Sequence, residues 1–194
     1  MVAVGRRYGA SLLLVILALL VFVSTTATEH LQYDRKATQM GEFWRLITGH
    51  WTHWSLDHLF WDVFAFAVLA GLCERAGRTR LLACIIASAL SISLGVMVIR
   101  PDMPLYRGLS GIDSALFTLV ALEMVKRSLI DGDRQRVSIV VACLVAFMLK
   151  VVFELLTGTT VFVDSAQSGM VPLPLAHVIG AGVGFLFAVS WPPK

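Results

Sequence analysis

The chain has 194 residues, of which 57% are apolar and 15% charged, with a net charge of +3 and a mean hydropathy of +0.78. So apolar a sequence belongs with integral membrane proteins, and its length suits one bundle over residues 1–194 rather than two domains. No basic, aromatic stripe offers a footprint for nucleic acid, and Cys73, Cys84 and Cys143 lack metal-ligand or disulfide spacing and read as buried or inert thiols.

Arg6 and Arg7 precede an apolar run that predicts a helix over 8–26. The run reads as a first membrane helix rather than a signal peptide ending near Ala27, because more apolar segments follow. On either reading Tyr33 emerges on the far side. Residues 24–57 are polar and aromatic, with Trp44, Trp51 and Trp54 suited to the headgroup layer. Further spans are predicted at 58–73, 81–99, 110–126, 137–156 and 174–191, giving an all-α bundle of six transmembrane helices. Arg6, Arg7, Arg75, Arg78, Arg80, Lys126, Arg127, Arg134, Arg136 and Lys194 fall on one side. Arg35, Lys36, Arg45, Arg100 and Arg107 fall on the other, whose last loop (157–173) has no basic residue. The positive-inside rule therefore places both termini in the cytoplasm. Residue 110 then enters the membrane from the outer face.

That residue is Ser110, set between Gly108 and Gly111 in Tyr106-Arg107-Gly108-Leu109-Ser110-Gly111, where a polar loop turns into an apolar helix. Glycines permit close backbone approach. A helix N-terminus gathers unpaired N–H groups and positive dipole, which suits a nucleophile whose attack creates an oxyanion. The plain alternative is an N-cap serine.

Ionisable side chains within a span are costly, so each needs a reason. They are His58, Asp62, Asp113, Lys150, Glu154 and His177. Lys150 and Glu154 are four apart and read as a structural ion pair. His177 opens the last helix, and Gly180 and Gly184 follow it at the spacing that lets membrane helices pack closely. His177 shares their face, so a partner on that face also lies near the imidazole. If that partner is the fourth span, Ser110 and His177 meet.

Together these residues resemble the rhomboid intramembrane serine proteases. The likeness runs from Phe43 to Val189 and rests on Trp44-Arg45, His53, His58 with Asp62, Gly108-Leu109-Ser110-Gly111, and Ala176-His177-x-x-Gly180-x-x-x-Gly184. Tyr33-Asp34-Arg35, the stretch 42–50 and Lys150-x-x-x-Glu154 are most similar to the rhombosortase subgroup. The resemblance implies a rhomboid-like bundle and a Ser110–His177 dyad without a third carboxylate. It implies oxyanion stabilisation by the Ser110 N–H, His58 and Asp62 around Gly108 and Leu109, with no cofactor or metal. Substrates would be transmembrane segments, for rhombosortases the C-terminal sorting tails of exported proteins. The setting would be a bacterial inner membrane, among lipid, with the site open to the periplasmic or extracellular side. His50, Thr52, His53 and Ser55 are expected to line a hydrophilic cavity.

Two positions depart from the family pattern. Asp62 stands where most rhomboids carry an amide, so it is expected to be neutral and to donate to the oxyanion. Asp113, three residues past Ser110, is placed to orient His177, to bind cavity water, or to make an ordinary buried contact. The rival functions are an inactive rhomboid-like chaperone or scaffold, a zinc site on His50, His53, His58 and Asp62, and a small transporter. The absence of His-Glu-x-x-His and of an internal repeat disfavours the last two.

Overall fold

The computed structural model describes residues 2–163 and 171–190. Trp191, Lys194 and the middle of the predicted outer loop lie outside the described residues. In chain order the elements are α1 (Val2–Phe22), α2 (Thr25–Leu31), β1 (Tyr33–Asp34), α3 (Arg35–Gln39), α4 (Arg45–Thr48), a 3-10 turn (Gly49–Trp51), α5 (Leu56–Ala76), α6 (Arg78–Ile99), β2 (Leu105–Tyr106), α7 (Ser110–Ile130), α8 (Arg134–Thr157) and α9 (Pro174–Ser190).

The expectation of six spans is only partly met. By length and hydropathy α5, α6 and α8 could each cross a membrane, and the pair Arg7–Phe22 and Thr25–Leu31, bent by 112°, adds a fourth if taken as one span. α9 has 17 residues. α7 is long enough but carries Asp113, Glu123, Lys126 and Arg127. Its position explains that composition. α7 packs against α5, α6, α8 and α9, so neighbours rather than lipid face most of its surface. α8 is the opposite case: only 17% of its apolar window is buried, and Leu149, Phe153 and Leu156 point outward.

The segment after α1 contains short helices rather than a plain loop. Ser24 caps α2 by accepting from the Ala27 N–H, and Asp34 caps α3 by accepting from Ala37 N–H. Between them, Tyr33 and Asp34 pair antiparallel with Tyr106 and Leu105. The two-stranded ribbon ties this outer segment to the loop that leads into Ser110. Arg45 is buried and donates to the carbonyls of Glu29 and Gln32, each at 2.8 Å, while Glu42 neutralises it at 2.6 Å. Arg35 donates to the carbonyls of Val96, Met97, Arg100 and Met103, satisfying the C-terminal end of α6 and the turn beyond it. At the other end, α1 kinks at Tyr8, and Glu74 accepts from the freed N–H groups of Ala10 and Ser11 at 3.0 and 2.8 Å.

α9 lies directly against α7. A Cβ on Gly180 would fall 2.9 Å from the Gly111 carbonyl carbon, and one on Gly184 would fall 2.9 Å from that of Ala115. A Cβ on Gly111 would in turn lie 3.2 Å from the Ala176 Cβ. Small residues on both helices let the backbones touch, as their spacing predicts.

Candidate active site

The contact between Gly111 and Ala176 sets the level of the site. Ser110 precedes Gly111 and His177 follows Ala176, so both occupy the same layer of the bundle. Both line a cavity of about 470 Å³ between α5, α7, α8 and α9, together with Asp62, Asp113, Lys150 and Glu154. Trp61, Phe64, Ala65, Val68 and Leu69 form its apolar side along α5.

Ser110 is the first residue of α7, and Leu109 occupies the N-cap position with no side-chain cap. The hydroxyl therefore does not serve as a helix cap. Among the described residues it makes no hydrogen bond, to His177 or otherwise. Its N–H belongs to the first turn, where a helix leaves backbone donors unpaired. Gly108 supplies the tight entry with φ of +122°, a conformation that favours glycine. A Cβ there would also meet His58 Nε2 at 2.7 Å.

His177 is 7% exposed. Its Nδ1 faces α8, 3.0 Å from Glu154 Oε2 and 3.3 Å from Lys150 Nζ. The predicted Lys150–Glu154 pair is present at 2.8 Å, and it reaches the imidazole as well. Asp113 does not orient the histidine: it is buried, and neither carboxyl oxygen has a hydrogen-bond partner among the described residues. The sequence reading missed the Glu154 contact, because a pair at that spacing already explains itself.

Asp62, expected as a donor to the oxyanion, accepts through one of its oxygens in this geometry. Its Oδ2 accepts the Leu109 N–H at 2.8 Å and faces His58 Nε2 at 3.1 Å. The Trp54 N–H points at His58 Nδ1 from 3.5 Å, which leaves the ring proton on Nε2, directed at Asp62. His53 Nε2 lies 3.4 Å from the same oxygen without a well-formed hydrogen bond. Asp62 thus gathers donors, and in this geometry the Leu109 N–H and His58 Nε2 are engaged by it rather than free for an oxyanion. His58, Gly108 and Leu109 are not among the cavity walls.

Nor do His50, Thr52, His53 and Ser55 line the cavity. His50 is fully buried, with Nε2 3.1 Å from the Ala89 carbonyl and Nδ1 3.3 Å from that of Gly108. Burial pushes its pKa from 6.5 down to about 4, so it is neutral, wedged between α6 and the Ser110 loop with one N–H to donate to one of the two carbonyls. Burial also lowers His53, against the pull of Asp62. Tyr106 stacks edge-on against His50, and its hydroxyl donates to Gly108 O at 3.2 Å. Burial, then Asp62 and Asp113, hold that phenol well above its ordinary range. Arg107 lies over the Trp54 ring at 4.2 Å and donates to Gln32 Oε1 at 2.8 Å. The loop before Ser110 is therefore held from both sides. Among the described residues no group of three or more His, Cys, Asp or Glu side chains is arranged to hold a metal ion.

Compared with known proteins, residues 40–192 match the family model of the rhomboid domain. No curated protein matches the chain significantly. The match spans the Arg45 segment, His53 and His58, the Ser110 loop and the glycine face of α9. With its apolar helices and a family of intramembrane-protease type, the chain is an integral membrane protein and belongs to the rhomboid domain family.

Proposed function

We propose that the chain is an intramembrane serine endopeptidase with Ser110 as nucleophile and His177 as base. The observation that carries this reading is the backbone contact of Gly111 with Ala176, which brings the two side chains to one cavity. Ser110 Oγ attacks the scissile carbonyl carbon while His177 Nε2 takes the hydroxyl proton. The tetrahedral oxyanion lies against the Ser110 N–H. Collapse breaks the C–N bond, and the imidazolium returns its proton to the leaving amine. Water then attacks the acyl ester, again through His177, and restores the serine. Each oxyanion donor of this kind contributes about 3–4 kcal/mol to the transition state.

The apolar wall from Trp61 to Leu69 suits a transmembrane segment entering from the bilayer. Six membrane crossings, cytoplasmic termini and an outward-opening site in a bacterial inner membrane complete the topology proposed from the loop charges. The rhombosortase-like motifs favour C-terminal tails of exported proteins as substrates. The rival, an inactive membrane scaffold, draws on the missing Ser110–His177 hydrogen bond; such bonds tighten only when substrate binds.

The test is cleavage of a single-span reporter, with small residues before its apolar stretch, by purified protein in liposomes. Proteolysis that is lost in Ser110→Ala and in His177→Ala supports the protease. Folded wild-type protein that leaves every such reporter intact supports the scaffold.

A further inference from the structure

A lone imidazole can hold its proton on either nitrogen, and only one tautomer can act as a base toward Ser110. The groups facing His177 Nδ1 decide which. Glu154 is 1% exposed; its Oε1 accepts the Val161 N–H at 3.2 Å, and its Oε2 sits 3.0 Å from Nδ1. Lys150 Nζ lies 3.3 Å from the same nitrogen and 2.8 Å from Glu154 Oε2. If Glu154 receives the Nδ1 proton, the Nε2 lone pair is free for the serine proton. If Lys150 donates to Nδ1 instead, the proton must sit on Nε2 and the base is lost. Only the Lys150 contact with Nδ1 has hydrogen-bond geometry here, but Glu154 Oε2 is the nearer atom and a buried carboxylate oxygen without a hydrogen-bond partner, and that unmet acceptor is what draws the Nδ1 proton to it. Asp62 from α5 and Asp113 from α7 line the same cavity, and no hydrogen bond joins either to this ring.

We infer that Glu154 is a positioning residue that holds His177 as the Nδ1–H tautomer, with Lys150 as the countercharge that holds Glu154 in place. The inference rests on the Ser110–His177 reading and adds a third member to the pair. Lys150 then has two opposed effects: it supports Glu154, and it competes for Nδ1 once Glu154 is gone.

That opposition gives a signature an ordinary ion pair lacks. In micelles, with a fluorogenic single-span reporter, Glu154→Gln is expected to lower kcat by about 10²–10⁴-fold with KM unchanged, the cost of a wrong tautomer. Lys150→Met should cost less than about tenfold. Lys150→Met added to Glu154→Gln should restore at least about tenfold over Glu154→Gln alone, because the competing donor is removed. Glu154→Asp should recover part of the activity. Nitrogen NMR of histidine-labelled full-length protein reads the tautomer without activity: Nδ1–H in wild type and Nε2–H in Glu154→Gln.

An Nε2–H tautomer in wild type overturns the inference, even if the variants fail to fold. So does a double variant no faster than Glu154→Gln. If wild type shows the Nδ1–H tautomer but a fluorophosphonate leaves Ser110 unlabelled, the hydrolase reading fails while the positioning of His177 stands.

Discussion

Gly180→Ala tests the contact on which the site depends. The added Cβ would fall 2.9 Å from the Gly111 carbonyl carbon, closer still to its oxygen, and 3.4 Å from the Ala115 nitrogen. These are backbone atoms and cannot rotate aside, so α9 must move off α7 by about 1 Å to reach ordinary contact. Overpacking of this kind costs about 1–3 kcal/mol, and the better helix propensity of alanine returns up to about 1 kcal/mol. A net loss of about 2 kcal/mol is expected. The effect on chemistry should be larger in proportion, because a displacement of about 1 Å between nucleophile and base costs on the order of 100-fold. Gly182→Ala is the control: no atom lies within 4 Å of its added Cβ, so stability should be unchanged or rise by up to about 1 kcal/mol. The assay is thermal unfolding in micelles together with the rate of fluorophosphonate labelling. Gly180→Ala protein as stable and as quickly labelled as Gly182→Ala would refute the reasoning.

Three further outcomes follow from the contacts around the site. Asp62→Ala strands the Leu109 N–H and the His58 imidazole, and should cost about 3 kcal/mol in unfolding experiments; a change within error would remove Asp62 from its organising place. His50 binds its proton in the fold only near pH 4, whereas the unfolded chain does so near 6.5. Stability should therefore be full above pH 6.5 and fall by about 3 kcal/mol as the pH drops to about 4, with a shallower fall in His50→Gln; equal slopes in the two proteins would contradict this. Arg35→Met removes the guanidinium donor from the Met97 and Met103 carbonyls and the second donor from those of Val96 and Arg100, and should cost about 2–3 kcal/mol of stability, with faster amide exchange in the last turn of α6. Unchanged exchange there would assign the capping to other groups.

Much of the site was readable from spacing. Gly180 and Gly184 lie four apart with His177 on their face, a pattern that calls for close packing against another helix, and the fold supplies α7 as that helix. Ser110 at a helix start between glycines was equally visible. The rest depended on long-range contacts that local patterns do not encode. Glu154 had a sufficient partner four residues away, so nothing in the sequence called for a second one on α9. Asp62 was read against a developing oxyanion, but the fold gives it the Leu109 N–H, more than 40 residues along the chain. Arg35 counted only as an outer-loop charge, yet it satisfies the end of α6, and Glu74, which no local pattern singled out, satisfies N–H groups of α1. The span expected at 110–126 is present as α7 and runs on to Ile130, and it carries Glu123, Lys126 and Arg127 because a helix ringed by others is freed from the composition that lipid demands. His50 read as cavity lining because polar residues near a membrane boundary suggest water, but its partners turn out to be carbonyls.

Mass spectrometry of fluorophosphonate-treated protein most directly tests whether a hydroxyl and an imidazole on neighbouring helices form a working pair. One adduct is expected on the peptide carrying Ser110, absent from Ser110→Ala and reduced to background in folded His177→Ala. Labelling at another residue, or undiminished labelling without the imidazole, would contradict it.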